Sequence, residues 1–134
     1  MINLTTIAAE YPEAEKGFTR NILREYLQYK MLQSIFESEY GQKLAFLGGT
    51  ALRIIYKNQR FSEDLDFDNF GLSKEAFDNL SQIVRHDLEQ DGYQVELKQV
   101  FKGAYRCYVR IPRLLFDHGL SPHQGEKAVI QIDT

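Results

Sequence analysis

Apolar positions in the first third of the chain recur at spacings of three and four: Ile22, Leu23, Tyr26, Leu27, Met31, Leu32, Ile35 and Phe36. That stripe predicts an amphipathic helix over residues 18–40, stopped by Gly41. The short apolar run Leu44-Ala45-Phe46-Leu47 predicts a buried strand, and Gly48-Gly49-Thr50 then turns the chain into a second helix over residues 51–58. Residues 63–68 alternate acid and apolar, so a half-buried strand would aim Leu65 and Phe67 one way and Asp64, Asp66 and Asp68 the other. A helix over 73–90 follows, with Ser73 as N-cap, Glu75 in its first turn, Gly92 past its end and a core face of Phe77, Leu80, Ile83, Val84 and Leu88. Residues 93–101 and 104–111 alternate around Lys102-Gly103, which predicts a β-hairpin closed by Pro112. Residues 113–126 read as loop or a short helical turn, and 127–133 as a last strand. The order predicts an α+β fold, one mixed sheet of about five strands packed with helices.

Composition narrows the class. With 134 residues, 43% hydrophobic and 26% charged, the chain is expected to form a single domain over 1–134 around one core. The lone Cys107 excludes a disulfide scaffold and a zinc ribbon, and points to a reducing, cytoplasmic setting. A formal charge of −3 argues against a protein that coats nucleic acid by bulk attraction, while leaving local basic patches open. Residues 1–10 lack the basic and apolar segments of a secretory signal, and no apolar run approaches the ~18 residues of a membrane span. The strand at the very end has no turn or polar tail after it, which suggests that the chain is an N-terminal fragment.

The candidate chemistry begins with the acids. Carboxylates at i and i+2 on one strand point the same way, roughly 7 Å apart, so Asp64 and Asp66 repel each other and can converge on a divalent cation. Such hard ions take few protein carboxylates and keep positions open for phosphate oxygens. In the last strand Gln131 and Asp133 share a face, which would bring Asp133 beside that pair if the two strands are neighbours. The Gly48-Gly49 turn would expose backbone N–H groups suited to phosphate, with the Thr50 hydroxyl as a further donor. Arg53, Lys57 and Arg60 cluster nearby and could grip a triphosphate.

Other patterns carry less. Asp64, Asp66, Asp68 and Glu75 fall at positions 1, 3, 5 and 12 of an EF-hand loop, but Asn69 replaces its glycine and no lead-in helix precedes it. His86, His118 and His123 show no metal-ligand spacing. Tyr105 and Tyr108 with Arg106 and Arg110 could offer an aromatic and basic surface to RNA.

The segments Phe46-Leu47-Gly48-Gly49-Thr50-Ala51-Leu52-Arg53 and Arg60-Phe61-Ser62-Glu63-Asp64-Leu65-Asp66-Phe67 together resemble the signature of the AbiEii/AbiGii toxin family, nucleotidyltransferases of the DNA polymerase β-like superfamily. The resemblance implies a Mg²⁺-dependent enzyme, with Mn²⁺ as a substitute, that moves a nucleoside monophosphate from a nucleoside triphosphate to an acceptor hydroxyl such as that of tRNA. It further implies a toxin of a bacterial toxin–antitoxin or abortive-infection system, with a cognate antitoxin as partner and no membrane. By the same resemblance Gly48, Gly49 and Thr50 take the phosphates, Asp64 and Asp66 bind the metal, and Arg53, Arg60 and Ser62 support the nucleotide. Asp133 matches the third carboxylate by pattern only. The family's helical C-terminal part is missing, so a nucleotide-binding regulatory module without turnover stands as the alternative, and a calcium-binding loop protein behind it.

Overall fold

The computed structural model describes residues 3–134. The chain opens with one helical turn, α1 (Leu4–Ala8), whose N-terminal N–H groups are accepted by the Asn3 side chain. Five residues are too few for a periodic stripe, and the sequence gives no sign of this helix. The long stripe forms α2 (Thr19–Glu37), which buries Ile22, Leu23, Leu27, Met31 and Ile35. Its end falls at Glu37, before the predicted residue 40, and Gly41 instead lies in a short 3₁₀ turn against α2, where a Cβ would meet the Ile35 carbonyl at 2.8 Å.

β1 (Leu44–Leu47) coincides with the predicted strand, and α3 (Gly48–Ile54) starts on the first glycine itself, three residues earlier than expected. It also ends earlier, because Lys57 takes a left-handed backbone (φ 58°) that a helix cannot continue through. β2 (Leu65–Asn69) leads into α4 (Lys74–Gln90), where the Ser73 side chain accepts the Ala76 N–H at 3.1 Å and Glu75 sits in the first turn. β3 (Glu96–Lys102) and β4 (Ala104–Ile111) form the expected hairpin around Gly103 (φ +74°). A single turn, α5 (Leu114–Asp117), precedes β5 (Ala128–Asp133).

The five strands make one mixed sheet in the order β1-β2-β5-β4-β3, with β2 and β5 parallel and the other neighbours antiparallel. α2 and α4 pack together against one face, burying Leu65, Phe67, Cys107, Val109, Ile130 and Ile132 with Leu27, Met31, Phe77, Leu80 and Val84 in one core. Strand alternation sends Asp66, Asp133, Arg106, Tyr108 and Lys98 to the other face, away from α2 and α4. Among the described residues no helix is long and apolar enough to cross a membrane.

Candidate active site

The antiparallel register of β1 with β2 sets Leu47 opposite Asp66, so the chain leaves β1 and turns into α3 right beside that carboxylate. Gly48 adopts φ +81°, and a Cβ on it would stand 2.6 Å from Asp66 Oδ2. A Cβ on Gly49 would stand 2.9 Å from the Ser62 hydroxyl. Glycine is therefore required at Gly48 for two reasons, a backbone conformation that L residues rarely adopt and a carboxylate that occupies the space of a side chain. Among the described residues no side chain caps the start of α3, whose first-turn N–H groups have no intrahelical partner.

Asp66 has a second neighbour. In the parallel pairing of β2 with β5 its partner is Asp133, with Leu65 set against Ile132 on the core face. Burial is the main reason the Asp66 carboxyl titrates above the usual carboxylate range, and repulsion from Asp133 and then Asp64 adds to it. Asp64 is also raised, by burial and by Glu63, with a smaller push from Asp133; a backbone hydrogen bond from Gln131 and the Arg24 charge oppose the rise. Among the described residues neither Asp64 nor Asp66 has a cation in salt-bridge contact, whereas Asp133 is drawn toward Arg106 Nε (3.4 Å) and Gln131 Nε2 (3.3 Å). Among the described residues no three acidic, histidine or cysteine side chains converge into a metal cage. The donor set still suits a hard divalent ion: two clustered carboxylates with no cation in salt-bridge contact among the described residues, all-oxygen chemistry, and a third acid in register that is tied only by long contacts.

Asp64, Asp66 and Gly49 border a cleft of about 520 Å³ that is also lined by Leu52, Asn58, Arg60, Phe61, Ser62 and Glu63; Gly48 and Asp133 stand outside this lining. Arg60 is exposed at its rim. The wall formed by residues 58–64 has no regular secondary structure, and the carbonyls of Asn58, Ser62, Glu63 and Asp64 are satisfied from behind by side chains. Arg53 Nη1 donates to Asn58 O at 3.1 Å, Gln28 Nε2 donates to Ser62 O and Glu63 O at 2.9 and 3.1 Å, and Thr50 Oγ1 donates to Asp64 O.

Two sequence expectations change here. The Thr50 side chain is fully buried and its proton goes to Asp64 O, so its hydroxyl is not presented to a ligand in the cleft. Arg53 does not line the cleft either. Its guanidinium donates to Glu25 Oε2 at 2.8 Å and Glu15 Oε1 at 2.9 Å and lies 4.2 Å from the centre of the Phe61 ring, and these acids hold its proton more tightly than in a free arginine. Two carboxylates from elements the sequence reading did not connect have claimed it.

Residues 30–133 match the family described as nucleotidyl transferase AbiEii toxin, type IV toxin–antitoxin system. The chain belongs to the AbiEii family. Two solved structures share the fold of this AbiEii chain: a candidate nucleotidyltransferase from H. pylori (TM-score 0.55, 21% identity) and JHP933 from Helicobacter pylori (TM-score 0.56, 20% identity). Each is matched over 84% of this chain but over only 43% and 42% of its own length, so the AbiEii chain spans less than half of those structures. Comparison with curated proteins gives no match.

Several side chains around this cleft were not legible in the sequence of this AbiEii chain. Glu15 and Glu25 gave no signal, since an acid in a helix reads as surface. Gln28 did leave a trace: it stands three, four and seven residues before Met31, Leu32 and Ile35, a polar residue on an apolar stripe. The proposed aromatic and basic surface divides between the two faces of β4. Tyr105 packs in the core edge against Phe77 and Phe101, while Arg106, Tyr108 and Arg110 remain on the other face. The EF-hand reading fails because residues 65–69 run as a paired strand and cannot wrap an ion. Cys107 is buried and its thiol is pushed up to about 11, as befits a packing residue.

Proposed function

We propose that this chain carries the transfer site of a nucleotidyltransferase toxin, moving a nucleoside monophosphate from a nucleoside triphosphate to an acceptor hydroxyl in the cytoplasm, with an antitoxin as its regulator. The observation that carries the reading is the approach of Gly48 to Asp66 Oδ2, which sets a turn whose N–H groups have no intrahelical partner against the acids.

In this reading the Gly48-Gly49 turn accepts the triphosphate, Arg60 and Ser62 border it in the cleft, and Thr50 and Arg53 support the wall from behind. Asp64, Asp66 and Asp133 would hold Mg²⁺ or Mn²⁺, which when bound supplies neutralisation of phosphate charge and activation of the attacking oxygen. The acceptor oxygen forms a bond to the α-phosphorus as the α–β bridging bond breaks, pyrophosphate leaves, and Asp133 takes the acceptor's proton.

The acceptor approaches across the face of the sheet opposite α2 and α4. Lys98, Arg106, Tyr108 and Arg110 lie on that face, with Arg106 paired across from Asp133, and these cations with the Tyr108 ring favour a polyanion such as tRNA. A nucleotide-binding module without turnover is the second reading, favoured by the hold of Arg106 and Gln131 on Asp133.

Transfer of label from each of the four α-labelled triphosphates to total RNA, for wild type and Asp64→Ala, separates them. Label transfer abolished by the substitution supports the enzyme, and triphosphate binding without transfer supports the module.

A further inference from the structure

Gln28 is fully buried in α2, on the helix face that packs toward the sheet. Its Nε2 donates to two consecutive carbonyls, Ser62 O at 2.9 Å and Glu63 O at 3.1 Å, directly before Asp64. Thr50, also fully buried, donates to the next carbonyl, Asp64 O. Three successive carbonyls outside any strand are thus fixed by two interior side chains, and β2 pairing begins only at Leu65. The amide is a poor choice for packing alone. Its Oε1 is buried with no hydrogen-bond partner, a penalty that Leu or Met at the same place would avoid. A neighbouring position, Leu27, shows that α2 fills this core with apolar groups where only packing is required.

We infer that Gln28 is a positioning residue for the transfer site: through the carbonyls of Ser62 and Glu63 it sets the direction from which Asp64 enters the acidic pair. The inference rests on the metal-binding reading of Asp64 and Asp66 above. Asp64 stands outside the strand ladder; Gln28 and Thr50 hold the carbonyls of residues 62–64 from behind, while a backbone N–H of Gln131 reaches the Asp64 carboxylate from β5. Gln28 touches neither the cleft surface nor a ligand position.

The test is the Kd for Mn²⁺ followed by electron paramagnetic resonance of the free ion, with thermal midpoints measured alongside. Gln28→Met keeps the length and removes both donors. Ser34→Ala removes another side-chain hydrogen bond of α2, to Asp87, outside the cleft. Asp66→Asn reports whether the acids bind the ion at all. We expect Gln28→Met to weaken Mn²⁺ by about tenfold and Ser34→Ala to change it less than twofold. Loss of folded protein lowers the number of sites and leaves the Kd of the remainder unchanged, so instability alone cannot imitate this result. An unchanged Kd in Gln28→Met, with Asp66→Asn weakened, overturns the role of Gln28 and leaves the metal site standing. An unchanged Kd in Asp66→Asn overturns the metal reading, and the inference falls with it.

Discussion

Asp133 lies directly across the parallel β2–β5 pairing from Asp66, although α4, the β3–β4 hairpin and α5 all intervene in the chain. Two acids brought together at the meeting of distant segments repel each other in the absence of a cation, and the raised titration of Asp66 expresses that repulsion together with burial.

Removing that charge is expected to stabilise the fold. Like charges on facing strand positions destabilise by about 0.2–1 kcal/mol, so Asp66→Asn should gain stability of that order at neutral pH without metal. Thermal unfolding of the two proteins in chelator checks it.

The same acids fix the sign of a pH effect. Asp64 and Asp66 titrate above their unfolded value of 3.8, so the folded state binds more protons than the unfolded state just above that pH. Their contribution to stability is greatest below 3.8 and is lost as pH rises through their folded titration range. Denaturant midpoints for wild type and the Asp64→Asn/Asp66→Asn double variant should therefore diverge with rising pH, the variant gaining on wild type.

Gly48→Ala meets both obstacles at once, the left-handed backbone and Asp66 Oδ2 at 2.6 Å. A loss of about 1–3 kcal/mol is expected from the backbone alone, with displacement of the Asp66 carboxylate in addition. Chemical denaturation measures the first effect and Mn²⁺ affinity the second.

Arg53 is ion-paired on both sides with Glu15 and Glu25, and Glu25 is only 5% exposed. Arg53→Met strands these acids and should destabilise by about 3–5 kcal/mol, the usual range for breaking a buried pair. If Arg53 instead gripped the triphosphate, a weakened nucleotide Kd at near-normal stability would be seen.

On the face opposite α2 and α4, Lys98 and Arg110 stand away from Asp64 and Asp66. Replacing either with Ala should weaken RNA binding similarly across sequences and lower the salt slope by about one per residue, with triphosphate affinity retained. Fluorescence anisotropy at several salt concentrations provides the slope.

The strand positions of the acids were legible in the sequence. Continuous or alternating apolar patterns specified β1, β2, the hairpin and β5 because strand faces repeat every second residue, and the same rule put Asp64 and Asp66 on one side and Asp133 on the matching side of β5. What linked those strands was not legible, since β2–β5 pairing joins segments with no local signal between them. The fate of Arg53 was hidden for a related reason. A helix sequence shows that an arginine projects from it but not that Glu15 and Glu25 come from elsewhere to meet it. Thr50 reads equally well as a phosphate donor or a backbone prop until the path of residues 58–64 is known.

The central claim is that the Gly48-Gly49 turn and the acids of β2 form one transfer site. Transfer of α-phosphate label to RNA, measured for wild type beside Asp66→Asn, tests it most directly. The account expects a fall of at least about a hundredfold in a variant that remains folded. Label transfer at the wild-type rate by Asp66→Asn would contradict it.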